Sequence, residues 1–245
     1  MKPPSAWPLW LVGFRPFFGL AFLSGLSLPV LWTLLYTGAV PAPATSYSMV
    51  QWHAHEMFFG FGWAVLGGFL LTSTKNWVQV RGYHGGSLMF LAAAWLFERA
   101  GMWFEGVWPP LLFRLSNNLF LVAIVAMLAW TLIRHRKGDT YPDNYFFLLV
   151  LPLFLLAKNL MLSPDYFVTG SGMALGLFRM AFLLMLERTL TRADVIAGLQ
   201  ARGVSVDAAR ARVAALTDAE AAHVAAQIDQ APAGADDERG PHLAG

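Results

Sequence analysis

The 245-residue chain contains no cysteine. That excludes disulfides, thiolate metal sites, iron–sulfur clusters and haem attached through a C-x-x-C-H motif. Any metal must then be held by histidine, methionine, carboxylate or backbone oxygen. Charge is scarce as well: Asp, Glu, Lys and Arg make up 13% of the residues, about half the share usual in soluble domains. No basic patch argues for nucleic acid. No phosphate loop, dinucleotide fingerprint or serine-nucleophile arrangement occurs, and no groups are arranged for general acid–base turnover.

What is abundant is apolar. Hydrophobic residues reach 57%, with 19 Phe and 10 Trp, which marks a membrane protein. Six stretches, near residues 17–39, 52–74, 86–103, 111–133, 144–162 and 171–190, reach or approach the ~20 apolar residues needed to cross a bilayer. The predicted fold is an all-α, polytopic membrane helix bundle of about six transmembrane helices, followed by a short soluble helical tail. A signal peptide ending near Ala42-Pro43-Ala44 is the other reading of the first stretch, which is longer than the about 7–15 apolar residues such peptides carry.

Loop charges set the expected orientation. Lys2 and Arg15 precede the first span, Lys75 and Arg81 follow the second, Arg134, Arg136 and Lys137 follow the fourth, and Arg188 and Arg192 follow the sixth. The alternate loops hold almost no positive charge. The positive-inside rule then puts both termini in the cytoplasm and the start of the second span at the outer face. After Thr191 the composition turns to Ala, Arg, Asp and Glu. Residues 193–201 and 206–229 read as helices, with a capping box at Thr217–Glu220. Residues 231–245 read as disordered. The domain expectation is therefore 1–191 membrane, 192–230 helical tail and 231–245 disordered.

The distinctive stretch opens the second span: Trp52-His53-Ala54-His55-Glu56-Met57-Phe58-Phe59-Gly60. Hydrocarbon penalises ionisable groups by at least ~2.5 kcal/mol each, so such groups are functional candidates by default. Imidazole suits both haem iron and copper. In a regular helix His53, Met57, Gly60, Ala64 and Gly68 share a face, with Glu56 and Gly67 at its edge. Its small residues suit close packing of a neighbouring helix or a flat macrocycle. His53 and His55 point about 200° apart, so they serve two centres or pair with groups from other spans. Further polar residues lie in the spans: Glu98, Arg99, Arg114, Asn117, Asn118, Lys158, Asn159, Arg179 and Glu187. Glu98 is expected to pair with a Lys or Arg of another span, and Arg15, Arg114 and Arg179 are candidate propionate partners.

Phe14-Arg15-Pro16-Phe17-Phe18, the His-x-His-Glu-Met segment, Gly68-Phe69-Leu70-Leu71-Thr72 and Asn76-Trp77 resemble the NnrS family over about residues 8–191. These are polytopic bacterial inner-membrane proteins containing haem and copper and linked to the nitric oxide response. The resemblance implies that His53 and His55 ligate haem (b-type) or copper, supported by Glu56 and Met57. It makes Arg15, Asn76 and Trp77 further cofactor-binding candidates, with the lipid bilayer and a diatomic gas such as NO as partners. Family members have about twice as many spans, so the chain resembles a half-length member joined to a tail from another small helical family. A homo-oligomer would complete the bundle. The competing reading is a transporter-like or assembly protein without metal, in which Glu98, Arg99, Arg114, Lys158 and Arg179 line a polar path and the histidines are structural or relay protons.

Overall fold

The computed structural model describes residues 5, 7–135 and 142–162 and scattered residues between 176 and 211; the side chains of residues 75, 76, 142 and 143 lie outside that description. The chain divides into two units, Met1–Met185 and Leu186–Gly245. All regular elements among the described residues of the first unit are helical. Besides short 3-10 turns at Pro8–Trp10 and Pro142–Phe146, they are α1 (Phe14–Tyr36), α2 (Met49–His55), a π-helical segment (Glu56–Gly62), α3 (Trp63–Trp77), α4 (Gly86–Phe104), α5 (Pro110–Arg134) and α6 (Phe147–Met161). In the second unit, residues 196, 197, 200, 206–208 and 211 are helical, with Gly203 at φ +71° between the two groups. The expected sixth span, the capping box at Thr217 and the segment 231–245 fall largely or wholly outside the described residues.

Among the described residues, four stretches are long and apolar enough to span a membrane: Phe14–Tyr36, Met49–Thr74, Pro110–Arg134 and Asn144–Met161. The third expected span is present as α4, whose Glu98-Arg99 pair lowers its apolarity. Its buried residues, Leu88, Leu91, Ala92, Ala94, Trp95, Glu98, Gly101 and Met102, repeat at three and four, the spacing of a single helix face. Glu98 therefore points into protein and not into lipid. The same logic places Asn117 on the buried face of α5 and Lys158 on that of α6.

Small residues set the helix spacing. A Cβ on Gly68 would lie 2.8 Å from Cβ of Phe17 on α1, and one on Gly67 would lie 2.7 Å from Ile124 on α5. A Cβ on Gly60 would collide with the Arg99 guanidinium of α4. The small-residue stripe of the second span is thus filled by neighbouring helices, the packing role such stripes usually serve. The start of α1 is tied down by Thr72, whose Oγ1 accepts the Phe14 N–H at 2.9 Å.

The second span departs from a regular helix. Between Glu56 and Gly62 it widens into π-helical turns, which shift the register of everything below relative to everything above. The inward stripe consequently runs Trp52, His55, Glu56, Phe59, Gly60, Trp63, Ala64, Gly67, Gly68 and Leu71. Of the face expected from uniform helix geometry, Glu56, Gly60, Ala64, Gly67 and Gly68 are buried, but His53 and Met57 are only half-buried and do not head the inward stripe. His55 and Glu56 head it instead. The carbonyl of Gly60 in the widened segment accepts the indole N–H of Trp95 at 3.0 Å, so the irregular backbone stays satisfied.

Candidate functional site

The inward stripe delivers His55 and Glu56 to a cluster of polar and ionisable side chains from four chain segments. Glu98 and Arg99 enter from α4, Asn117 from α5 and Lys158 from α6. His55, Glu98 and Asn117 are essentially inaccessible, and Lys158 is 1% exposed. Each of these residues lies within about two turns of its helix end on the side of the bundle that carries His53.

One carboxylate oxygen organises the cluster. Oε1 of Glu98 lies 2.5 Å from Nζ of Lys158, 2.6 Å from Nη2 of Arg99 and 3.6 Å from Nε2 of His55. Lys158 also donates to the backbone carbonyl of Asn117, and its Nζ lies 5.5 Å from the centre of the Phe59 ring. Arg99 brings its Nε to 3.2 Å from Oε2 of Glu56 and stacks over Trp95 at 5.2 Å. Two carboxylates thus face two cations, and the cluster is neutral without any further ion. This is the pairing expected for Glu98, with Lys158 as the partner from another span.

The tautomer of His55 follows from its partner. Its Nε2 is 3.1 Å from Oδ1 of Asn117; an amide oxygen only accepts, so Nε2 carries the proton and Nδ1 the lone pair. That Nδ1 faces Oε1 of Glu56 at 3.5 Å. Three acceptors of the cluster, His55 Nδ1, Glu56 Oε1 and Glu98 Oε2, are buried with no hydrogen-bond donor, and none of the Arg99 nitrogens makes a well-aligned hydrogen bond despite their close approach. Buried polar groups left in this condition are costly and uncommon.

His53 is in a different setting. Its ring is half-buried and stacks on Trp32 of α1, with centroids 4.2 Å apart and planes inclined by 26°. Its Nδ1 is buried and has no hydrogen-bond partner. Met57 is half-buried one turn further along, against the group formed by Leu28, Trp52, Met102, Phe113 and Leu162.

The remaining expected site residues lie elsewhere. Trp77 ends α3, buried and stacked on Phe147 at 5.1 Å. Along the second span it is about 35 Å from His53, at 1.5 Å per residue, farther than one haem or copper centre reaches. Arg15 lies at that same remote end, exposed, its Nη1 donating to the carbonyl of Pro8 at 2.7 Å. The side chain of Asn76 and all of Arg179 lie outside the described residues. Arg114 is exposed and outside the ion network. The residues assigned from sequence to one cofactor therefore separate into two groups at opposite ends of the bundle. Trp95 and Trp32 carry no sequence signal as site residues, whereas Asn117 stands out as a polar residue within an apolar span.

The residues divide equally sharply when tested against a metal. Around His55 they do not fit one: its Nε2 is committed to Asn117, and an added cation would meet Arg99 and Lys158 in a cluster already neutral. His53 fits better. A haem needs only one or two axial ligands, and His53 offers an imidazole held in plane by Trp32 with a nitrogen lacking a partner. A copper centre built of several histidines and carboxylates does not fit, because among the described residues no three such side chains are arranged to hold a metal ion. The thioether of Met57 lies four residues from His53 in sequence, as does that of Met49, and copper(I) accepts such a ligand.

The fold and cluster define a helical membrane protein with a buried, charge-compensated polar network. The family described as NnrS protein matches residues 8–228, and the chain belongs to the NnrS family, membrane proteins tied to the nitric oxide response. The match runs past Thr191, so the family pattern continues into the segment expected to come from another family. Comparison with curated proteins and with solved structures gives no match.

Proposed function

We propose that this chain binds haem through His53 and serves the nitric oxide or nitrosative-stress response from the bacterial inner membrane, with both termini cytoplasmic. The supporting observation is the half-buried His53 ring, stacked on Trp32 and carrying a nitrogen without a hydrogen-bond partner. A bound haem would supply a site for a diatomic ligand such as NO, or for one-electron transfer. The chain's own contribution would be to orient the His53 imidazole through Trp32 and to offer the Met57 thioether as a donor for copper. Loop charges favour the orientation given.

Optical spectra of the detergent-extracted protein, oxidised, reduced and exposed to NO, test this reading. His53→Ala should abolish the Soret absorbance while the protein remains folded, and His55→Gln should retain it. A wild-type preparation with no Soret band and no metal by elemental analysis sinks the proposal.

The unmatched acceptors at His55, Glu56 and Glu98 favour a second reading, a transporter-like polar path in which the network passes protons. Its signature would be ion or proton flux in proteoliposomes that Glu98→Gln removes and His53→Ala leaves intact.

A further inference from the structure

The end of the bundle remote from the histidines holds a cavity of about 380 Å³. Leu11 and Val12 ahead of α1, Leu71 of α3 and Val80 form its apolar wall, and Gln79 and Arg81 supply its polar lining. The wall is fixed by contacts between distant parts of the chain. The Gly85 N–H donates to the Trp10 carbonyl at 2.6 Å, the Tyr83 hydroxyl donates to the Met127 carbonyl at 2.9 Å, and Thr72 caps the start of α1.

Three observations identify the occupant. Arg81 is exposed and, like Arg15 at the same end, forms no ion pair among the described residues. Gln79 takes φ +52°, the only non-glycine with positive φ among the described residues. It terminates α3 in the left-handed conformation where glycine is the unstrained choice, so an amide is held in this lining at a conformational cost. Trp7, Leu9, Leu11, Phe14 and Phe18 are all exposed here, beside the start of the first membrane-spanning helix. A cation and an amide over an apolar wall, at the level where the chain meets hydrocarbon, match a negatively charged headgroup carrying an acyl chain.

We propose that this cavity binds an anionic phospholipid, with Arg81 at its phosphate and Leu11, Val12, Leu71 and Val80 along its upper acyl chain. Association of spin-labelled phosphatidylglycerol and phosphatidylcholine with the full-length protein in membranes measures it. A preference of about fivefold for phosphatidylglycerol is expected, the factor one basic side chain contributes near an anionic surface. Arg81→Gln should remove the preference, and Arg81→Lys should keep it. Arg114→Gln, exposed on α5 near the other end, should leave it unchanged. Equal association of the two lipids, or a preference that survives Arg81→Gln, overturns the proposal. Competition by water-soluble glycerol phosphate would assign the cavity to a soluble phosphate and overturn it too.

Discussion

The ammonium of Lys158 on α6 lies 2.5 Å from Oε1 of Glu98 on α4, both side chains being almost wholly removed from solvent. The same oxygen also faces Arg99 at 2.6 Å, so one carboxylate pairs with two cations while Glu56 supplies the second negative charge. Removing one partner of a buried pair leaves an uncompensated charge and costs about 3–5 kcal/mol. Glu98→Gln should therefore lower the unfolding free energy in detergent by that amount. Adding Lys158→Met should recover at least half, because the orphaned charge is then gone. A Glu98→Gln protein as stable as the parent would show that the pair does not hold the helices together.

The two histidines should separate in stability as they do in setting. His55→Ala strips a buried hydrogen bond from Asn117 and opens a gap in the cluster, a loss of about 1–3 kcal/mol. His53→Ala removes a ring at the bundle's margin and should change stability by less than about 1 kcal/mol. Chemical denaturation in mild detergent compares them; the reverse order would contradict the placement.

Glycine substitutions test the packing directly. Gly68→Ala brings a methyl to 2.8 Å from Cβ of Phe17, which cannot rotate away, so overpacking should cost about 1–3 kcal/mol. At Gly19 of α1 an added Cβ meets nothing within 4 Å. There alanine should be neutral or stabilising by up to about 1 kcal/mol, since it relieves the glycine penalty in a helix. Melting temperatures of the two variants give the answer.

Tyr47, in the connection between α1 and α2, has its phenol pushed up to about 12, first by burial and then by the nearby Glu105, against the opposing effect of Arg114. A group whose folded-state value is raised contributes its full stability below the ordinary value of 10 and loses it as pH rises toward 12. The Tyr47→Phe variant should therefore be less sensitive to alkali than the parent between those values. Ultraviolet difference titration should show one tyrosinate missing near the top of the range; an unchanged titration would refute the shift.

Composition sets the class: a chain poor in charge and free of cysteine, with long apolar runs, is stable as helices in lipid, where every backbone polar group must be satisfied within its own segment. The sequence also determined that Glu98 must find a cation and that His53 and His55 must diverge, since both follow from periodicity and the cost of an unpaired charge in hydrocarbon. Tertiary structure alone decided which histidine turns inward. The π-helical widening at Glu56–Gly62 shifts the register by an amount no helical wheel contains, and within it Gly60 makes room for Arg99 and gives its carbonyl to Trp95 of another helix. Nor could spacing reveal that Lys158, rather than Arg114, reaches Glu98, or that Arg15 and Trp77 lie a full membrane thickness from His53. Such choices depend on which buried faces meet, and that is settled only when all the helices pack at once.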